Sequence, residues 1–462
     1  MLAMTSTSTL ASAASSIPTA PGRKPVLGHA LEFMRRPVQF LKSLRPHGSV
    51  VRIYFGKTPV YALTSAAAAQ VALVTKGDSF GRDKFNERMA RLIGEGMSTT
   101  VDASFHRRQR RIIQPALHHQ RVEAYVVSIS AVISEASQDW RDGQKLDWAD
   151  DMFKWAAAVM ARTLVSSDLG KPLREEIERS FLSFLHSVLA RMQSNISLKH
   201  KLPTRANKRF AEEQTSLLKA IDDTIAAYQE DGNDHQDLLS MLISAVDEQT
   251  GQPMPPARLR DEIIGLMVAA VDSLAISLTW IFFEIGRNPA IEAKVMRELE
   301  DVLATGPIGQ ERFSELSYLN RVITEVLRLH NPAIAVLRRC SAETEIDGHV
   351  MAVGTRVLIS PYAMGHDPEH YPEPQRFDPD RWVPGNTIPR SAYLPFLSGR
   401  YKCAGEALAW STLMVAVSQL LPQWRIVPCP DQPVREVFRG SYIQPSHMPM
   451  RLERRRSADG SA

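Results

Sequence analysis

Pro395-Phe396-Leu397-Ser398-Gly399-Arg400-Tyr401-Lys402-Cys403-Ala404-Gly405 is the stretch on which the reading of this chain turns. Phe396, Gly399, Cys403 and Gly405 fall in the spacing Phe-x-x-Gly-x-x-x-Cys-x-Gly, and an apolar, helix-like run follows over 406–421. Glycines let a backbone approach a flat ligand and aim amide N–H groups at a sulfur. An aromatic just upstream, here Phe396, can cover that sulfur. A thiolate held this way suits the axial position of a haem iron, where it pushes electron density to the metal. A lone cysteine can equally be a small buried hydrophobe, or a nucleophile served by a distant histidine. The rest of the chain must decide.

The chain has 462 residues, 44% hydrophobic and 23% charged, enough for a large core. A formal net charge of +4 is too weak to argue for nucleic acid. Three cysteines, Cys340, Cys403 and Cys429, show no metal-ligand spacing and no disulfide framework, which suits a reducing cytoplasm. Residues 1–20 are rich in Ser, Thr and Ala, without a basic start or a long apolar core. They read as a disordered tail rather than an anchor. A single domain over 21–452 and a polar tail over 453–462 complete the division.

Residues 50–55 and 60–63 read as a hairpin, and 76–104 as a long irregular loop of functional character. Residues 105–289 are almost wholly helical, with breaks at 231–236 and 249–256. Short strands follow near 338–340, 345–346 and 356–359, and an irregular Pro- and Asp-rich stretch spans 367–382. The architecture is mainly α, with a small sheet at each end of the sequence. The run 263–283 is apolar on every face except for Asp272. It is long enough to span a membrane, but a charge at mid-run and amphipathic flanks favour the spine of a large protein.

Other constellations lie apart. His106 and Arg110 share a helix face and suit either a clamp on two carboxylates or a basic surface patch. Glu325 and Arg328 share another face, a common surface ion pair when alone. His366 and His370 have the spacing of a zinc pair, but Pro368 and Pro372 argue against the helix this needs. His118 and His119 read as surface. Arg82, Arg88 and Arg91 read as solvated surface or as anchors for a substrate acid.

In chain order, His106-x-x-x-Arg110, Ala269-Ala270-Val271-Asp272-Ser273, Glu325-x-x-Arg328, Pro374–Trp382 and the Cys403 loop together resemble the cytochrome P450 family over roughly 20–450. The resemblance implies a triangular helical prism around haem b, with Cys403 as the iron ligand and Phe396 and Gly405 beside it. His106, Arg110, Arg338 and Tyr401 would meet the propionates. Glu325, Arg328 and Arg381 would form a buried network beneath the haem. Asp272 and Ser273 would guide protons. The chain departs from the family at three places: Ser273 stands for threonine, Ala270 for glycine, and Tyr401 for an arginine or histidine.

The implied reaction is insertion of one oxygen atom into a lipophilic metabolite, such as a terpenoid, another prenylated compound or a polyketide. Candidate walls are Phe80, Phe85, Met89, Leu92, Met97, Leu266, Ala269, Ala270, Ser273, Ala333, Ile334, Val336, Leu337, Tyr442 and Ile443. Electrons would derive from NAD(P)H through a ferredoxin and its reductase, the ferredoxin docking on Arg107, Arg108, Arg111 and Lys402. A cytoplasmic monomer without a membrane anchor is expected. The altered residues keep open a redox-neutral chemistry, such as group transfer of a nitrene type, dehydration or rearrangement. A non-catalytic haem sensor is a third reading.

Overall fold

The computed structural model describes residues 17–193, 200, 202–439 and 442–455. Most of both expected tails therefore lies outside the described residues. Ile17 and Ala20 are buried, and the Ala20 amide donates to the Arg52 carbonyl at 2.9 Å. The strand Pro449–Arg454 runs into the stretch expected as a C-terminal tail. It pairs with Trp424–Pro428 and Lys145–Asp147.

The chain is mostly helical with small sheets, as expected. Its axis is the helix Pro256–Arg287. Pro256 opens the first turn, where the missing N–H costs nothing. The 32 residues extend about 48 Å. The helix is apolar all round because it is covered nearly all round, by Trp148–Leu164, Arg205–Asp231, Ser317–Leu329 and Glu406–Leu420. Its length and apolarity would let it cross a bilayer. Here it is core: fully buried Trp148 meets Phe282 edge to face at 5.0 Å between ring centroids.

The expectation of a separate sheet at each end of the sequence is corrected. Both ends build one five-stranded sheet, in the order Val50–Phe55, Thr58–Leu63, Arg356–Ile359, Val336–Cys340, Phe80–Arg82. Short strands gain stability by adding to a larger sheet with a buried face, although Thr344–Ile346 with His349–Met351 and Glu436–Arg439 with Tyr442–Pro445 remain two-stranded. The register sets Arg82 directly opposite Arg338.

The loop expected over 76–104 is also corrected. Within it lie the strand Phe80–Arg82 and the helix Lys84–Ile93. Asp83 caps that helix, accepting from the Phe85 amide, and is itself gripped by two Arg356 bonds of 2.8 and 2.7 Å. Gly94, with φ +89°, ends it. The irregular part that follows runs over 94–102.

Candidate functional site

The cysteine loop is built from its backbone. The Cys403 amide donates to the Phe396 carbonyl at 2.8 Å, closing the turn. Gly399 has φ +73°, and a Cβ there would lie 1.8 Å from the Leu73 carbonyl oxygen, so no other residue fits. Gly405 precedes the helix Glu406–Leu420, and a Cβ there would meet nothing within 4 Å. Its amide is hydrogen-bonded to the Cys403 sulfur. Cys403 is exposed by surface area, yet burial pushes its thiol up, opposed by that amide and by Arg110 and Lys402. The two facts agree if the sulfur faces a space roofed by protein.

The central helix carries an open stripe. Leu266, Ala270 and Ser273 are half-buried and Ala269 is exposed, on a helix otherwise almost wholly buried. Their spacing, i, i+3, i+4 and i+7, makes one open stripe. Asp272 beside it is 1% exposed, with neither carboxylate oxygen hydrogen-bonded. Burial pushes it up to about 7. The Tyr442 hydroxyl is pushed up by burial and then by the charges of Asp272 and Cys403. Cys403 and Asp272 thus both lie within electrostatic reach of the Tyr442 hydroxyl. The Ser273 hydroxyl donates back to the Ala269 and Ala270 carbonyls, each at 3.1 Å.

One edge of this space is cationic. Around the Tyr401 ring stand the guanidinium groups of Arg338 at 4.9 Å, Arg82 at 5.1 Å and Arg400 at 5.8 Å from its centroid. The His106 ring lies against it at 4.6 Å. Burial pushes Arg338 and Arg82 down to about 10. Burial and the surrounding arginines push His106 down to about 3, so it is neutral. Like charges set opposite one another across a sheet destabilise it. Yet among the described residues Arg82 and Arg338 donate only to backbone carbonyls, and the Tyr401 hydroxyl is buried without a partner. A flat ligand with two carboxylates, and a metal needing one thiolate, fits these donors. Haem is such a ligand.

Arg82 is thus drawn into the site, against the surface reading of the sequence. The signal lay only in its pairing with Arg338, which the sequence does not display. Arg110 reaches instead to the Lys402 and Arg400 carbonyls, holding the loop. Arg91 is exposed, and Arg88 donates to the Arg191 carbonyl.

Beneath the loop, Glu325 and Arg328 have fully buried side chains and pair at 2.7 Å. Glu325 also accepts from Arg381 at 3.2 Å, from the Asp378 amide at 3.0 Å and from the Trp382 indole at 2.9 Å. Sequence reasoning missed Trp382, although it closes the motif that contains Arg381.

The wall candidates divide. Met89, Leu92, Met97, Leu266, Ala270 and Tyr442 pack in or against the main core with Phe396. Phe80 is instead 1% exposed and packs within the sheet's own cluster with Cys340. Ile334 and Ile443 are buried in a third cluster around Phe40 and Val51. These three are core side chains. Phe85, Ala333, Val336 and Leu337 are half-buried.

Three of the four residues expected to dock a ferredoxin have acidic partners on the protein itself. Arg108 pairs with Asp247 at 3.6 Å, Arg111 with Glu248 at 3.3 Å and Lys402 with Glu406 at 2.5 Å, while Arg107 is exposed. The His366 ring is stacked on Tyr362 and bonded to its carbonyl, away from any pairing with His370. His118 and His119 are exposed.

Comparison with known proteins agrees with this geometry. Residues 18–449 match the family described as Cytochrome P450. The chain is 33% identical over 439 residues to a pentalenene oxygenase of Streptomyces avermitilis, covering 95% of this chain and 97% of that one. It is 34% identical to a cyclooctatin synthase of Streptomyces melanosporofaciens, covering 90% and 91%. Among solved structures, the retinoic acid bound cyanobacterial CYP120A1 superposes with a TM-score of 0.83 at 21% identity, covering 95% of this chain and 100% of that chain. The chain belongs to the cytochrome P450 family and is an oxidoreductase of its monooxygenase class. The family implies haem held by a cysteine thiolate.

Proposed function

We propose that this enzyme oxygenates a terpenoid, with Cys403 as the iron ligand and electrons delivered by a separate ferredoxin and its reductase in the cytoplasm. The substrate class rests on the relatives, two of which are named for the terpenoids pentalenene and cyclooctatin, and on an apolar stripe, Leu266, Ala269 and Ala270, facing the sulfur's space. The observation that carries the reading is the juxtaposition of the Cys403 sulfur, its Gly405 amide and the cationic edge.

When bound, haem supplies reductive dioxygen chemistry at its iron. The protein's part is placement and protons. Arg338, Arg82, His106 and the Tyr401 hydroxyl would hold the acid groups of haem, and Arg110 holds the loop. The Glu325 network locks the chain beneath it. Asp272 exchanges a proton near neutral pH, because burial has raised it to about 7. Ser273 must turn its hydroxyl from the Ala269 and Ala270 carbonyls to pass that proton on. A freer χ1 than threonine's permits the turn but aims it less firmly.

The Ser273 tie to its own helix also favours a second reading, a redox-neutral transfer or rearrangement. One experiment separates them. Cyclic sesquiterpenes and diterpenes are incubated with the holoenzyme, with and without a ferredoxin system. Oxygenated product that requires reductant and dioxygen is expected. Turnover without either would overturn the proposal in favour of the second reading.

A further inference from the structure

The turn over 94–100, which carries Met97, is held by one face of the central helix. Residues 258, 261, 262 and 265 have the spacing i, i+3, i+4 and i+7, and all four meet it. Arg258 donates to the Glu95 carbonyl. Asp261 accepts from the Glu95 amide at 3.1 Å. Both Glu262 oxygens lie 2.8 Å from the Met97 nitrogen. Gly265 leaves room for Ser98, whose Oγ would lie 2.6 Å from a Cβ there.

Within the turn, Thr99 ties Gly96 to Gly94: its Oγ1 accepts from the Gly96 amide and donates to the Gly94 carbonyl, both at 2.9 Å. The turn is thus rigid as a unit, and its outside contacts decide where it sits. Met97 is gripped twice. Glu262 takes its N–H, and Arg82 donates to its carbonyl and to that of Thr100. Glu262 is 1% exposed. A carboxylate buried this deeply is costly unless it is hydrogen-bonded, and what it is bonded to here is the backbone of a turn rather than a cationic partner.

We propose that Glu262 is a positioning residue for substrate selection. By holding the Met97 amide to the central helix it sets how far the Met97 side chain stands from the space over Cys403, while Arg82 ties the same residue to the cationic edge. The inference rests on the reading of Cys403 as iron ligand and Met97 as wall. Its consequence is steric: loosening the turn changes which ligands fit, not whether the iron is ligated.

The test compares imidazole, which needs little room at the iron, with 4-phenylimidazole, which needs the space that Met97, as a wall, would border. Both are titrated spectrally into holoenzyme. Glu262→Ala is expected to change the ratio of the two dissociation constants about tenfold, the effect of one buried hydrogen-bond partner lost. Imidazole alone should stay within about threefold, and Glu262→Gln, whose carbonyl oxygen still accepts the amide, should keep the wild-type ratio within about threefold. A ratio within about twofold of wild type in Glu262→Ala overturns the proposal. So does an equal loss for both azoles, or a Gln variant as altered as the Ala variant. If Glu262→Ala takes up no haem, Glu262→Asp, one methylene shorter, withdraws the acceptor from the Met97 amide while keeping the charge, and an unchanged ratio there overturns the proposal equally. A spectrum without thiolate ligation fails the Cys403 reading itself; a thiolate spectrum with an unchanged ratio fails only Glu262.

Discussion

Glu325→Gln removes one negative charge where five donors converge on two oxygens. Oε1 accepts from Arg328 at 2.7 Å, from the Asp378 amide at 3.0 Å and from Arg381 at 3.2 Å; Oε2 accepts from Arg328 and from the Trp382 indole at 2.7 and 2.9 Å. Glutamine keeps one acceptor oxygen and turns the other into a donor. Whichever way it sits, at least two donors lose their acceptor and face another N–H. Arg328, whose side chain is fully buried, keeps bonds to the Pro374 and Arg376 carbonyls but loses its counter-charge. Breaking a buried pair by removing one partner costs about 3–5 kcal/mol. Against a total stability of roughly 5–15 kcal/mol, that is a large share. The assay is urea unfolding of wild type and variant, followed by loss of the thiolate-type haem absorption. A destabilisation in that range, with poorer haem retention during purification, is expected. A variant within about 1 kcal/mol of wild type would refute the reasoning, since that is the scale of an exposed pair.

Three further predictions follow from the same geometry. Burial raises Asp272 from 3.8 to about 7. The folded protein therefore holds a proton that the unfolded chain releases, and stability falls as pH rises from about 4 to 7, by up to roughly 4 kcal/mol from this group. Asp272→Asn should flatten that part of the stability–pH curve, and an unchanged difference between the two proteins at pH 5 and pH 8 would contradict it. Arg82→Gln should speed haem transfer to apomyoglobin about tenfold, the effect of one charge-assisted bond. Tyr401→Arg in that background should restore retention, and no rescue would remove Arg82 from the cofactor site. Arg107→Glu should slow ferredoxin-driven reduction, most at low salt. Arg108→Glu is less informative because it also breaks the pair with Asp247; a rate for Arg107→Glu equal to wild type at all salt concentrations would move the docking face elsewhere.

What the sequence displays is what lies close together along the chain. The Cys403 loop, the apolar central helix and the Glu325–Arg328 pair each depend on spacing within one element, and each is where the spacing put it. What it conceals depends on pairing between distant strands. Arg82 looks like any surface arginine until the register sets it opposite Arg338. The two expected sheets are one because strands from both ends of the chain share edges. Phe80 looks like a pocket wall, but the strand that carries Arg82 turns it into the sheet's core. The surroundings of the basic residues were hidden for a related reason: Asp247 and Glu248, far away in sequence, lie across from Arg108 and Arg111. Ala269, a wall candidate already from the sequence, is exposed in the middle of an otherwise buried helix.

The bond from the Cys403 sulfur to iron carries the whole account, and the absorption spectrum of the reduced, carbon monoxide-bound protein measures it most directly. The Soret position of thiolate ligation is predicted for wild type, and its loss for Cys403→His. A colourless purified protein, or a wild-type adduct indistinguishable from the histidine variant, would contradict the assignment.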